Sequence, residues 1–121
     1  MARDDPDQSR RALAFLREVE VGSQTVTTCE GVLEEAVYVL SSHRLYNLPR
    51  QEFTSKLSDV LQLRGLQLPY KGMLLRALEL YAASNLDFVG ALAIAHMERV
   101  GIGTIVSFDR DFDRIPQLLR I

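Results

Sequence analysis

Ser107-Phe108-Asp109-Arg110-Asp111-Phe112-Asp113-Arg114 is the segment best supplied for chemistry. Asp109, Asp111 and Asp113 follow directly on the apolar run Thr104-Ile105-Val106. They offer the hard oxygen ligands that Mg2+ or Mn2+ takes. In an open parallel sheet, ligands gather beyond the carboxyl ends of the strands, which is where such a cluster falls. The same spacing also suits an Asp-rich turn capping the next helix, and on local pattern alone that is the commoner outcome. Two further acids gain interest from position. Glu35 stands within a turn of Val32 and Val39 and is expected to border an apolar helix face, whereas Glu34 projects toward Tyr38. Asp87 precedes an apolar helix, where capping the first turn is worth about 1 kcal/mol and is its better-supported role taken alone.

These acids must be held by elements whose periodicity is legible. Pro6 after Asp5 opens a first helix with the stripe Ala12, Leu13, Leu16 and Val19. Val26-Thr27-Thr28 is a short β-branched run. A second helix from about Gly31 carries Val32, Leu33, Ala36, Val37 and Leu40. Pro49 opens a third, with Phe53, Leu57, Val60 and Leu61. Leu66-Gln67-Leu68 reads as a brief strand, and Leu74, Leu75, Leu78 and Tyr81 mark a fourth helix. The fifth, Phe88 to Arg99, is apolar nearly all round and should be buried on most sides. Thr104 to Phe108 is the clearest strand, with a last one expected over Leu118 to Ile121. Helices alternating with short apolar strands imply an α/β fold with a parallel sheet covered on both faces.

The chain has 121 residues, 47% hydrophobic and 25% charged, which suits one globular domain over 1–121 and excludes a disordered or collagen-like chain. No apolar run reaches the length of a membrane span, and the polar N-terminus does not resemble a signal peptide, so the expected location is cytoplasmic. Cys29 is the single cysteine and is expected to be a small buried residue. His96, between Ala95 and Met97, is expected to be a hydrogen-bonded core histidine. A net charge of −2 gives no global pull toward nucleic acid. The twelve Arg against two Lys are explained more readily by base composition than by phosphate binding. Arg44, Arg50, Arg110 and Arg114 are expected to be solvated surface charges, with phosphate or acidic-peptide contacts the rarer role.

Three stretches taken in order, Val32–Leu40 with Glu34-Glu35, Leu86-Asp87-Phe88-Val89-Gly90-Ala91-Leu92, and Ser107-Phe108-Asp109-Arg110-Asp111-Phe112, resemble a PIN domain. The likeness is greatest to the VapC-type toxins of bacterial toxin–antitoxin pairs. Asp4-Asp5-Pro6-Asp7-Gln8 resembles the segment behind the first strand of these proteins. The resemblance implies a Rossmann-like, three-layer fold with a short parallel sheet flanked by helices. It also implies a metal-dependent endoribonuclease whose acids hold Mg2+ or Mn2+. Carried over by position, Glu35 is the second-segment acid and Asp109 and Asp111 are the fourth-segment acids, all three implied metal ligands. Asp87 is a further candidate in the catalytic group.

Two positions depart from the pattern. Gly90 stands where the third-segment acid belongs. The chain is also expected to begin after the family's first, central strand and so to lack its acid. With Glu35, Asp109 and Asp111 left, aided by Asp87, the expectation is weak metal binding and little or no nuclease activity. The resemblance further implies RNA as substrate, a small antitoxin protein as partner and a homodimer. Two other readings stand beside it. One is a non-catalytic PIN-like module for binding or dimerisation. The other is an unrelated small α/β domain whose acidic turn is only a cap.

Overall fold

A computed structural model describes residues 6–121. Asp4 and Asp5, including the expected cap of the first helix, lie outside the described residues. The order is α1 (Pro6–Val21), β1 (Val26–Thr27), α2 (Glu30–Ser41), α3 (Arg50–Leu61), β2 (Leu66–Gln67), α4 (Lys71–Ala83) and α5 (Phe88–Val100). There follow β3 (Thr104–Ile105), a 3-10 turn (Arg110–Arg114) and β4 (Leu119–Arg120). This is a mostly helical α/β fold with short parallel sheets flanked by helices.

The core is built by helices. Ala77 and Ala91 are fully buried, and their small side chains let α4 and α5 pack closely. Phe53, Leu74, Leu78, Leu92 and Ala95 fill the space around them, with Leu33 and Val37 reaching in from α2 and Val19 from α1. Tyr81 is the aromatic hub. Its ring meets Phe53 at 5.9 Å in a tilted arrangement and Phe88 at 5.8 Å edge-on, both favourable geometries for ring quadrupoles. A smaller cluster of Leu86, Ile94 and Phe112 ties the 3-10 turn to α5. Phe112 thus anchors the acidic segment from within it.

The strands are shorter than the sequence suggests and fall into two parallel pairs among the described residues. Val26 and Thr27 pair with Leu66 and Gln67, and Thr104 and Ile105 with Leu119 and Arg120. The parallel sheet implied by alternation is present as two ribbons, each strand having one partner among the described residues. The run expected as a strand over Thr104 to Phe108 stops at Ile105, and Val106 and Phe108 are exposed. The stripe on α1 is also less buried than its period implies, because only Val19 reaches the core while Leu13 and Leu16 are about half exposed. Cys29 is exposed at the N-cap of α2, not buried. His96 is exposed as well, near Arg99, since α5 turns that face outward.

One glycine is indispensable to this arrangement. The Gly65 N–H donates to the Val19 carbonyl at 2.8 Å, and the Gly65 carbonyl accepts from Val26 at 2.8 Å. The end of α1 and strand β1 are so joined to the start of β2. A Cβ at Gly65 would fall 2.0 Å from the Gln24 carbonyl oxygen and 2.9 Å from that of Val19, and neither is on a flexible group. Gly65→Ala should therefore lower the unfolding free energy by about 2 kcal/mol or more, as overpacking against backbone does. Urea denaturation followed by circular dichroism measures it.

Candidate active site

The acidic segment is organised by its own hydrogen bonds. The Asp109 N–H donates to Ser107 Oγ at 3.0 Å, and Asp109 Oδ1 accepts from the Asp111 N–H at 2.9 Å. Asp109 is thereby the N-cap of the 3-10 turn. Asp113 is engaged elsewhere. Its two carboxylate oxygens accept from Arg120 Nε and Nη2 at 2.8 and 3.1 Å, while Arg120 Nη1 donates to the Ser107 carbonyl at 3.0 Å. This fork closes the segment onto β4. The Arg120 hydrogen bonds hold the Asp113 carboxyl below the usual carboxylate range. Asp111 is half-buried, with Arg114 3.9 Å away.

Asp87 likewise acts on its own helix. Its Oδ1 accepts from the Gly90 N–H at 2.7 Å, which satisfies one of the free donors of α5. Gly90 is buried, and a Cβ there would lie 3.0 Å from that same Oδ1. A glycine inside a helix costs roughly 1 kcal/mol against alanine, and close approach to the capping carboxylate is the compensating reason for it.

A groove of about 330 Å3 opens beside this cap, lined by Glu34, Tyr38, Ser41, Arg50, Asp87 and Val89 among others. The acid that α2 offers to it is Glu34. Glu35 is exposed on the side of the helix away from Leu33 and Val37, so it does not border the apolar face as its spacing from Val32 and Val39 suggests. The reason is that Val32 itself is outward, 58% exposed, and the inward pair is Leu33 and Val37, four residues apart. Arg50 differs from expectation too. It is half-buried and donates from Nη1 to the carbonyls of Tyr81 and Ser84, both at 3.1 Å, and to that of Leu86. Its guanidinium carbon sits 3.9 Å from the centroid of the Tyr81 ring. Arg44, Arg110 and Arg114 are exposed as expected.

A family model described as PIN domain matches residues 2–118. The chain belongs to the PIN domain family. No individual curated protein matches it. As a PIN domain it has a nuclease-like character, and such domains generally depend on divalent metal. The described residues do not fit that requirement well. No three His, Cys, Asp or Glu side chains among them are grouped to hold an ion. Asp87 and Asp109 are turned to backbone N–H groups, and Asp113 to Arg120. No helix among the described residues is long and apolar enough to cross a membrane.

Sequence reasoning did not single out Arg120 as the partner of Asp113 or Arg50 as a clamp. Arg120 meets Ser107 across thirteen residues and Arg50 meets Leu86 across thirty-six, separations that carry no local period.

Two measurements test this geometry. Asp87→Ala should reduce stability by about 1 kcal/mol in chemical denaturation, the value of a lost N-cap. Asp113, with its folded pKa depressed, adds stability above its unfolded pKa, and that contribution disappears as pH falls through the folded value. Asp113→Asn should therefore melt below the parent protein at neutral pH, and the two melting curves should converge as acid protonates the carboxylate.

Proposed function

We propose that this PIN domain is of the VapC type, an endoribonuclease by descent whose metal-dependent cleavage of RNA is impaired in this sequence. The observation that carries the reading is the Asp87–Gly90 pair. At the place where the resemblance calls for a third acid there is a glycine, and the one carboxylate beside it caps the helix. The self-capped turn at Asp109 adds to it. Glu35, Asp109, Asp111 and Asp87 are the groups on which residual Mg2+ or Mn2+ binding would depend. A small antitoxin protein and a second copy of the chain are the proposed partners, in the cytoplasm.

A second reading, a PIN-like module for binding or dimerisation without catalysis, is favoured by one specific feature. Helix α1 presents Leu13, Phe15 and Leu16 about half exposed along its length. Apolar residues grouped in this way on one helix mark a contact surface.

Incubation of the protein with single-stranded RNA and Mn2+, resolved on denaturing gels, should give little or no cleavage above a metal-free control. Robust cleavage that Asp109→Asn abolishes overturns the proposal. Gly90→Asp places a second carboxylate beside Asp87, and it should raise Mn2+ affinity about tenfold in calorimetric titration, consistent with hard-ion preference for paired carboxylates.

A further inference from the structure

The helix α5 separates two grooves that share one wall. Val89, 55% exposed, lines the groove beside Asp87 and also a second groove of about 440 Å3. The second groove is lined along α5 by Val89, Ala93, His96 and Arg99, together with Tyr70 and Glu30. Residues 89, 93, 96 and 99 fall on one face at helical spacing and all line the second groove, Val89 being shared with the first.

The far end is unusual in its chemistry and its backbone. Tyr70 has φ 56° and ψ 38°, the left-handed region that a bulky residue seldom occupies. Sterically costly conformations of this kind persist where the surroundings impose them and concentrate at ligand clamps. Here the imposed conformation sets the Tyr70 ring, 61% exposed, under the Arg99 guanidinium, whose carbon is 4.3 Å from the ring centroid. Arg99 Nη2 is also 3.4 Å from His96 Nδ1. An exposed aromatic ring stacked with arginine, and a second ring with polar nitrogens beside it, is the combination that takes an unpaired base and its phosphate. Glu30 also lines this groove, and its carboxylate would repel a phosphate that Arg99 attracts. From Val89 to Arg99 the helix rises roughly 15 Å. That is the length of roughly four stacked nucleotides.

We infer that Tyr70, His96 and Arg99 form a contact site for single-stranded RNA that extends the groove beside Asp87. Tyr70 stacks on a base and Arg99 holds a phosphate, and both are positioning residues, not catalytic ones. The inference rests on reading the chain as an RNA-directed PIN domain, but it concerns binding alone and holds whether or not the bound strand is cut.

The test is fluorescence anisotropy with a short labelled single-stranded RNA in EDTA, where no cleavage occurs. Tyr70→Ala and Arg99→Ala should each weaken binding about tenfold, the range found when stacking platforms are truncated. Tyr70→Phe should bind as the parent does, because the ring remains. Arg99→Ala should also reduce the slope of log affinity against log salt by about one, and Tyr70→Ala should leave it unchanged. Circular dichroism melts of the variants establish that each is folded. No binding by the parent protein, or parental affinity in folded Tyr70→Ala and Arg99→Ala, overturns the inference. So does self-association of the parent that Tyr70→Ala abolishes, which would assign the groove to a second copy of the chain. Robust Mn2+-dependent cleavage overturns the impaired-nuclease proposal and leaves this one standing. Loss of this one leaves the cleavage result unaffected.

Discussion

Arg50 is held where three helices meet, and much of the candidate site depends on it. Its guanidinium lies against the Tyr81 ring and donates to carbonyls at the end of α4 and in the segment leading to α5. The Tyr81 carbonyl belongs to the backbone groups that a helix end leaves without internal partners, Ser84 is the C-cap, and Leu86 lies in the link to α5. A single cation satisfies all three carbonyls, favours the negative end of the α4 dipole, and stacks on an aromatic face. The consequence runs outward. The path of Ser84 to Leu86 sets the start of α5, the start of α5 sets Asp87, and Asp87 borders the groove into which Arg50 and Glu34 also face.

The acids of this protein illustrate how the same side chain serves structure and chemistry. A carboxylate one residue ahead of a helix has backbone N–H groups within reach, and Asp87 and Asp109 both take them. A carboxylate beside a bidentate arginine is charge-compensated, as Asp113 is by Arg120. Each of these arrangements reduces the acceptor capacity available to an ion. The carboxylates of Asp87, Asp109 and Asp113 are therefore directed toward the protein itself. Phe112, buried between them, locks that state by tying the turn to Leu86 and Ile94.

The sheet is the thinnest part of the fold. Each ribbon has two residues per strand, and hydrogen bonds of that number cannot hold a domain without the helices packed against them. Stability rests on α3, α4 and α5, where alanines and leucines interlock, and on the Gly65 junction that joins α1 to the first ribbon. The ion pairs of Arg76 with Glu79 and Glu98 lie on the exposed surface, where such pairs add little.

Local chemistry in the sequence determined the helices, their order and the family. The apolar period of Phe88 to Arg99, Pro49 ahead of α3, Asp87 as a cap and the Asp109 turn are all short-range features, and short-range periodicity is what a linear sequence encodes directly. The resemblance to PIN domains was carried by the stretches Val32–Leu40, Leu86–Leu92 and Ser107–Phe112. The site was less legible, because which of two adjacent glutamates faces a groove depends on which turn of the helix is buried, and Glu34 and Glu35 differ by about 100° around α2. His96 was misplaced for the same reason: an apolar neighbourhood in sequence does not say which side of a helix its neighbours cover. Cys29 was expected to be buried from its residue type, but it stands at the N-cap of α2 and is exposed. Only the tertiary structure decided that Arg50 clamps three carbonyls, that Arg120 engages Asp113, and that Tyr70 meets Arg99. Those contacts join segments far apart in the chain, and no spacing rule reaches that far.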